Sequence, residues 1–217
     1  MANPFVGPKP FGRNDVIYGR DAEISELRYF LGAKRIVVLY SPSGAGKSSL
    51  VQAKNGLITK LGDTERFDVW GTARVNLAPD PALPVTNRFV WSAIKGFERT
   101  YPAGARPAGV FANTTLHQYV TSRPAAASPV LIFDQFEEVL RTDPANSAAK
   151  REFFEQLGEL LYEPTVWALF VLREDWLAAL QPYLRQVPTH LQHRFRMDFL
   201  RREDQAVEAI EIGRAHV

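Results

Sequence analysis

The residues RIVVLYSPSGAGKSSLVQAKNGL, positions 35–57, combine three features that together indicate one kind of structure. RIVVLY is a short run of apolar and β-branched residues, typical of a strand buried on both faces of a parallel sheet. SPSGAGKS follows as a loop rich in glycine and serine, and the residues from Lys47 to Leu61 then predict a helix. Because a strand, a tight loop and a helix in this order direct several backbone N–H groups at one point, the stretch predicts a phosphate-binding loop.

Four residues of this phosphate loop, positions 41–48, suit a nucleotide ligand. Gly44 and Gly46 can adopt positive φ and let the backbone approach phosphate oxygens, Lys47 can reach the β- and γ-phosphates, and the Ser48 hydroxyl can ligate Mg²⁺. The alternative is a glycine and serine turn that carries a lysine by chance. The predicted nucleotide-binding residues here are Ser43, Gly44, Ala45, Gly46, Lys47, Ser48 and Ser49.

Ser41 departs from the pattern G-x-x-x-x-G-K-[ST], which begins with glycine. That glycine relieves crowding where the chain leaves the strand, and serine can occupy much of the same backbone space. We therefore expect an altered nucleotide affinity and not a lost site.

A second buried strand, PVLIFD at positions 129–134, ends in an acidic residue. Asp134 stands at its carboxyl end, where open α/β sheets place their ligands, and Glu137 and Glu138 follow three and four residues later. We predict that Asp134 and Ser48 hold Mg²⁺ and that one of the glutamates orients the attacking water. The alternative is a strand that runs into the charged, exposed start of a helix, where acidic residues suit the helix dipole.

A third strand, VWALFVLR at positions 166–173, ends in Arg173. At the carboxyl edge of the sheet this cation could sense a γ-phosphate and stabilise charge in the transition state. A surface ion pair with Glu174 or Asp175 explains the residue equally well.

The rest of the chain alternates helices with strands. Asp21 starts a helix that Gly32 is expected to stop, and Pro182 is expected to bend or end the helix at 174–184. Strands are also predicted at 67–77 and 195–200, and helices at 86–101, 148–162 and 202–210. The predicted fold class is α/β, a three-layer architecture with a mostly parallel sheet of about five strands covered on both faces.

The composition excludes several classes of protein. Lys and Arg total 26 against 24 Asp and Glu, and the net charge of +2 gives no strong electrostatic case for nucleic acid binding. The absence of cysteine fits a reducing compartment, and no apolar run approaches the roughly 18 residues of a membrane span. We expect a soluble, cytoplasmic protein without a membrane partner.

Four segments resemble the bacterial novel-STAND group, signal-transduction ATPases related to the AAA+ and NACHT NTPases. They are NPFVGPKPFGRNDVIYGRDAEI, SPSGAGKSSL, DQFEE and FVLREDW, and the resemblance extends from Asn3 to about Ile210. It implies that Tyr18, Gly19 and Arg20 help to hold the nucleotide, that Asp134 binds Mg²⁺ and that Arg173 senses the γ-phosphate.

DQFEE resembles the D-G-x-D-E form of NACHT proteins, which implies that Glu137 is the better catalytic candidate and Glu138 the second. Two features depart from the family pattern. Ser41 replaces the first glycine of the phosphate loop, and the usual Ala-Gly-Leu after its helix is interrupted as Ala53-Lys54-Asn55-Gly56-Leu57, which could shift the helix end.

The expected function is an ATP-dependent molecular switch that binds ATP or ADP with Mg²⁺ and slowly hydrolyses ATP, in bacterial defence or stress signalling. The resemblance further implies a following helical lid, a sensor region and a homo-oligomer that forms on activation. One alternative is a scaffold that binds nucleotide without hydrolysis, for which Ser41 and Gln135 leave room. Another is a different AAA+-like ATPase.

The expected organisation is an irregular lead-in segment at 1–20, an NTPase domain at 21–200 and the start of a lid domain at 201–211. Residues 212–217 are expected not to belong to the natural protein. Glu211 to Val217 can be back-translated to codons that coincide with a common sequencing adapter, stop codon included.

Overall fold

Five parallel strands form a sheet in the computed structural model, which describes residues 11–100, 108–123 and 127–200. The strands are β1 (Ile36–Ser41), β2 (Phe67–Ala73), β3 (Ser128–Phe133), β4 (Trp167–Arg173) and β5 (Arg194–Arg196). Their spatial order is β2-β3-β4-β1-β5. The predicted α/β class and the predicted number of strands are confirmed.

The order of the strands brings three predicted site segments to one edge of the sheet. Strand β4 lies between β1, which leads into the phosphate loop, and β3, which leads into Asp134. Ser41 is in register with Arg173, so β1 and β4 end level, and the last residue of β3, Phe133, is in register with Phe170 near the same edge. This is the edge at which open α/β sheets bind their ligands.

Eight α-helices lie before and between the strands within the described residues. They are α1 (Asp21–Lys34), α2 (Lys47–Gln52), α3 (Leu57–Gly62), α4 (Arg88–Thr100), α5 (Leu116–Thr121), α6 (Glu138–Arg141), α7 (Ser147–Tyr162) and α8 (Leu177–Leu180). Short 3₁₀ turns lie at Ala108–Phe111, Glu174–Trp176, Gln181–Gln186 and Pro188–Leu191.

The helices cover both faces of the sheet, which confirms the three-layer architecture. Val37 and Leu39 of β1 pack in the same buried cluster as residues of α1, α2 and α3. Ile36 and Val38 point to the opposite face, where they join residues of α4, α5 and α7. Since successive side chains of a strand face opposite ways, the continuous apolar run of β1 is the pattern that two buried faces require.

Aromatic packing fixes the loop that follows β3. The rings of Phe133 and Phe170 stack with centroids 5.1 Å apart, and Phe136 lies 4.7 Å from Phe170. The Phe136 N–H also donates to the carbonyl of Val171 at 2.9 Å. Phe136 is therefore an anchor between Asp134 and Glu137, and it limits how far the two carboxylates can move.

The prediction of a single helix from Lys47 to Leu61 is wrong, because a short non-helical segment, called here the break, separates α2 from α3. Asn55 lies in the break, where its side chain accepts from the N–H of Ile17 at 2.9 Å and donates to the carbonyl of Ile17 at 2.7 Å. At Gly56 a Cβ would lie 2.7 Å from the carbonyl oxygen of Leu50. The interrupted Ala-Gly-Leu segment is thus not helical, and its Asn55 binds the lead-in segment.

Other predicted boundaries also need correction. Helix α1 continues through Gly32 to Lys34 and ends at Arg35, which has a φ of 67°. Strand β2 ends at Ala73 and not at residue 77, after an irregularity between Val69 and Thr72.

Three further predictions on the second half of the chain differ from the structure. The predicted strand at 195–200 is limited to Arg194–Arg196, and the predicted helix at 174–184 divides into α8 and two 3₁₀ turns. Helix α5, which begins with a capping box of Thr115 and Gln118, is not predicted from the sequence. The predicted lid start at 201–211 and the tail at 212–217 lie outside the described residues, as do residues 1–10 of the lead-in segment.

A glycine in α7 offers a direct test of this packing. A Cβ added to Gly158 would lie 2.1 Å from the carbonyl oxygen of Gln186, which is backbone and cannot easily move. We expect Gly158→Ala to lower the free energy of unfolding by about 1–3 kcal/mol, although alanine is the better helix former. Urea denaturation measures the change.

The matched control is Gly62→Ala in α3, where an added Cβ meets no atom within 4 Å. This variant should be as stable as the parent or slightly more stable. Equal effects of the two substitutions would contradict the packing of α7 against the turn at Gln181–Gln186.

Candidate nucleotide site

The phosphate loop has the backbone shape that its glycines predict. Gly44 and Gly46 have φ values of 82° and 94°, in the left-handed region that other residues adopt at a cost. Ser43 and Gly44 are exposed at the tip of the loop, whereas Ala45 is buried beneath it. Helix α2 starts at Lys47, immediately after the second of these glycines.

Lys47 folds back on the start of the loop. Its Nζ donates to the carbonyl oxygens of Ser41 and Pro42, each at 3.1 Å, and to the Ser41 Oγ at 2.9 Å. Burial lowers the pKa of Lys47, against the opposing charges of Glu137 and Asp134. The serine that replaces the first glycine is therefore a direct ligand of the lysine ammonium group, which the sequence reading did not anticipate.

Ser48 and Asp134 are in direct contact across the edge of the sheet. The Ser48 hydroxyl lies 2.9 Å and 3.1 Å from the two carboxylate oxygens of Asp134. Asp134 is buried, and its N–H donates to the carbonyl of Ala73 at 2.9 Å. The two residues predicted to hold the metal are thus placed together.

The pair fits magnesium by its chemistry, because hydroxyl and carboxylate oxygens are hard ligands that Mg²⁺ accepts. The described residues contain no group of three or more His, Asp or Glu side chains that could hold a metal ion together. Mg²⁺ is usually bound through one or two carboxylates together with substrate phosphates, so a small set of protein ligands is what this ion needs.

The two glutamates after β3 lie in different environments. Glu137 is buried, and its Oε2 accepts from the backbone N–H of Arg173 at 3.4 Å. Burial raises the pKa of Glu137, against the opposing effects of backbone hydrogen bonds and of Lys47. Glu138 instead pairs with Arg141 at 2.7 Å. The position of Glu137, near Arg173 and within the field of Lys47, favours it as the predicted base.

Arg173 forms a surface ion pair. Its Nε and NH2 groups lie 3.0 Å and 2.6 Å from the carboxylate of Asp175. The Arg173 side chain is 40% exposed. Arg173 lies at the carboxyl end of β4, as predicted, but its guanidinium group contacts Asp175. Its role as a sensor of the γ-phosphate stays a prediction.

The lead-in segment reaches the phosphate loop through Arg20. Its buried guanidinium group donates to the carbonyl of Ala45 at 3.2 Å and to the carbonyl of Asp198 at 2.9 Å, and it pairs with Glu23 at 2.7 Å. Gly19 before it has a φ of 69°, and Tyr18 is half-buried. Nucleotide contacts of these three residues stay a prediction, whereas Arg20 visibly supports the loop backbone.

Ser49 also binds the lead-in segment. It is buried, and its hydroxyl accepts from the N–H of Phe11 at 3.0 Å. Together with Asn55, it fixes the lead-in segment against the start of α2 and the break that follows it.

Two further side chains reach the Asp134 carboxylate, and the sequence reading missed both. Gln52 donates to Oδ2 at 3.1 Å and Arg74 lies 3.3 Å from the same oxygen. Gln52 is four residues after Ser48, so helical spacing could have placed it on the same face. Arg74 was hidden because β2 was predicted to continue to residue 77, which put Arg74 inside a strand.

This strand order, the glycine-bearing loop after β1 and the buried acidic residue after β3 define a P-loop NTPase domain. A family model described as Novel STAND NTPase 1 matches residues 4–212. The chain belongs to this family, as the resemblance predicted.

Solved structures share the fold at low sequence identity. The Walker-type ATPase PABY2304 of Pyrococcus abyssi has a TM-score of 0.64 and 14% identity, over 96% of this chain and 61% of its own. The ORC2 protein of Aeropyrum pernix, in ADPNP-ADP complexes, has a TM-score of 0.59 and 15% identity, over 99% of this chain and 56% of its own. The ADP form of ORC2 has a TM-score of 0.57 and 16% identity, over 93% of this chain and 53% of its own.

The chain therefore spans between 53% and 61% of the length of these solved proteins, and the likeness concerns the fold. A search of curated proteins found no match. In the part of the chain that the structure describes, no helix is long and apolar enough to cross a lipid bilayer.

The buried position of Glu137 predicts a pH-dependent cost to folding. Because burial raises its pKa in the folded state above the unfolded value of about 4.3, the unfolded state loses its proton first as the pH rises. Between the unfolded pKa and the folded pKa of Glu137, the free energy of unfolding therefore decreases as the pH rises. Above the folded pKa this loss of stability is complete. We expect Glu137→Gln to be more stable than the parent at pH 7, since the amide oxygen can still accept from Arg173.

The same comparison near pH 4 is the internal control, since Glu137 is largely protonated there in both states and the advantage should shrink. Urea denaturation of parent and variant between pH 4 and pH 8 measures both. A variant that is no more stable than the parent at pH 7 would show that the native site stabilises the carboxylate.

Proposed function

We propose that this domain binds ATP with Mg²⁺ and slowly hydrolyses it, as the switch of a signalling protein. The observation that carries the proposal is the contact between Ser48 and Asp134, which are 86 residues apart in the chain, at the end of a loop whose glycines are left-handed. A hydroxyl and a buried carboxylate placed together beside exposed loop N–H groups form a site for phosphate and a divalent cation.

Binding would use groups that already face the loop. Lys47 would exchange the carbonyls of Ser41 and Pro42 for the oxygens of the β- and γ-phosphates. Ser48, with Asp134 behind it, would hold Mg²⁺, whose positive charge, when bound, stabilises charge on the phosphate oxygens. The nucleotides named for the ORC2 structures, ADPNP and ADP, support an adenine nucleotide as the ligand.

Glu137 would act as the base that orients the attacking water. Its raised pKa makes the carboxylate a better proton acceptor near neutral pH. Phe136, packed against Phe170, holds the adjoining backbone in place. Arg173 would have to leave Asp175 to reach a γ-phosphate, and a step of this kind suits slow turnover.

The switch would act on regions that follow this domain. Arg20 bonds both the phosphate loop at Ala45 and the chain at Asp198, just before residues 201–217. Nucleotide exchange or hydrolysis would bias the arrangement of a lid and a sensor region through such contacts. Homo-oligomer formation on activation, a cytoplasmic location and a role in defence or stress signalling complete the proposal.

A scaffold that binds nucleotide without hydrolysis is the second candidate. The bidentate pair between Arg173 and Asp175 favours it, because this pair holds the proposed sensor away from the loop. Measurement of turnover separates the two candidates.

The first functional prediction concerns binding. ATP with Mg²⁺ should raise the melting temperature of the parent, because a ligand that binds only the folded state stabilises it by about 2.7 kcal/mol at 100 times its Kd. Lys47→Ala should lose most of this shift. The control is Lys54→Ala, which removes the same charge from an exposed position in the break after α2. An unchanged shift in Lys47→Ala would contradict the nucleotide site.

The second functional prediction separates binding from chemistry. Glu137→Gln and Arg173→Ala should keep the thermal shift with MgATP and lose turnover by about a hundredfold or more, the lower end of what a general acid or base contributes. Phosphate release in steady state is the measurement.

Glu138→Gln is the matched control for this experiment, since Glu138 pairs with Arg141 on α6. It should retain most of the parent turnover. If Glu138→Gln loses turnover and Glu137→Gln does not, the base is Glu138. A parent that binds MgATP without any phosphate release supports the scaffold.

A further inference from the structure

Arg74 is placed at the edge of the site by its own backbone contacts. It is the first residue after β2, and its carbonyl accepts from the Ser92 hydroxyl at 3.2 Å. Gly96 lets α4 approach this point, because a Cβ there would lie 2.7 Å from the Cβ of Ala73 and 3.3 Å from the N of Arg74. The close approach of α4 holds the end of β2, so Arg74 leaves the sheet at a fixed position.

The Arg74 guanidinium group shares one oxygen atom with the candidate metal site. Asp134 Oδ2 lies 3.3 Å from Arg74, 3.1 Å from Gln52 and 3.1 Å from the Ser48 hydroxyl. The Arg74 side chain is 41% exposed, whereas the Asp134 side chain is 1% exposed. A half-exposed cation therefore lies against a buried carboxylate that otherwise has neutral donors on its oxygens.

This arrangement makes Arg74 a competitor of a divalent cation. A hydrated cation beside Ser48 needs the lone pairs of Asp134, and Arg74 already occupies part of them. A fixed positive charge within a few ångströms also disfavours a second cation, at a cost that water and salt reduce.

We propose that Arg74 is a positioning residue that lowers the affinity of the site for divalent cations and holds Asp134 in place before one binds. The inference rests on the proposed function, because it assigns the Asp134 carboxylate to a metal site. It adds a residue that sets the concentration of Mg²⁺ at which the site fills.

The test uses Mn²⁺ alone as a paramagnetic probe of the whole 217-residue chain. NMR follows the broadening of the Ser48 and Asp134 amide signals during the titration, with no nucleotide present. The midpoint is the Mn²⁺ concentration at which half of the broadening has occurred. Arg74→Gln, which removes the charge and keeps a long polar side chain, should lower this midpoint about three- to tenfold. Arg74→Lys should remain close to the parent.

The matched control is Arg88→Gln, which removes an arginine from a different ion pair, with Asp143 at 3.7 Å. Its midpoint should equal that of the parent. The difference in Mn²⁺ midpoint between Arg74→Gln and the parent should also become small at about 1 M salt, because the guanidinium group is half-exposed and salt screens its charge. A purely structural effect of the substitution would not depend on salt in this way.

Equal midpoints for Arg74→Gln and the parent would overturn the inference, and so would a higher midpoint, which would mean that Arg74 supports metal binding. The thermal shift with ATP supplies a second measurement. Arg74→Gln should reach half of its full shift at a lower Mg²⁺ concentration and keep the shift at saturation. Loss of the shift at saturating Mg²⁺ would make Arg74 a phosphate ligand and overturn the inference.

The two proposals fail in different ways. A parent without any ATP-dependent shift overturns the nucleotide switch. The Mn²⁺ titration still decides on Arg74 in that case, because it needs neither nucleotide nor turnover.

Discussion

The hydrogen bond between the Ser48 hydroxyl and the Asp134 carboxylate is the contact on which the site depends. It joins the start of α2 to the end of β3, and these elements do not pair directly, because β4 lies between β1 and β3. The contact is possible because the three strands end at the same edge of the sheet, where Ser41 is in register with Arg173 and Phe133, the last residue of β3, is in register with Phe170 of β4. The parallel sheet converts a separation of 86 residues into a distance of 2.9 Å.

Charged groups at this edge are stabilised by specific partners on each side. Asp134 is held by Ser48, Gln52 and Arg74, and Lys47 by the oxygens of Ser41 and Pro42. A charge withdrawn from water is costly unless it is paired, so these partners offset part of that cost and orient both groups. In the proposed site, Arg74 would compete with the metal for Asp134, and the oxygens of Ser41 and Pro42 would compete with the phosphates for Lys47. The affinity of that site would then depend on the balance between these internal contacts and the contacts with the ligand.

Sequence patterns predicted what depends on local chemistry and on the sheet. The buried runs of β1, β3 and β4, the glycines of the phosphate loop and the strand-end positions of Asp134 and Arg173 all follow from periodicity and motif spacing. The residues missed depend on contacts between distant segments. Asn55, which lies after the end of α2 at Gln52, binds Ile17, and Arg74 reaches Asp134 from the end of β2, which α4 approaches closely at Gly96. Neither contact leaves a periodic trace in the sequence.

Gln135, in the loop after β3, has a strained backbone conformation that places the next residues of the loop. Its φ of 52° lies in the left-handed region, which costs a residue with a side chain roughly 1–2 kcal/mol relative to the right-handed form. Glycine avoids this cost, and the D-G-x-D-E form that DQFEE resembles has glycine at this position. The conformation turns the chain so that Phe136 packs against Phe133 and Phe170 and donates to Val171. Since Phe136 fixes the path between Asp134 and Glu137, its packing offsets the strain, and the two carboxylates face the phosphate loop from a rigid support.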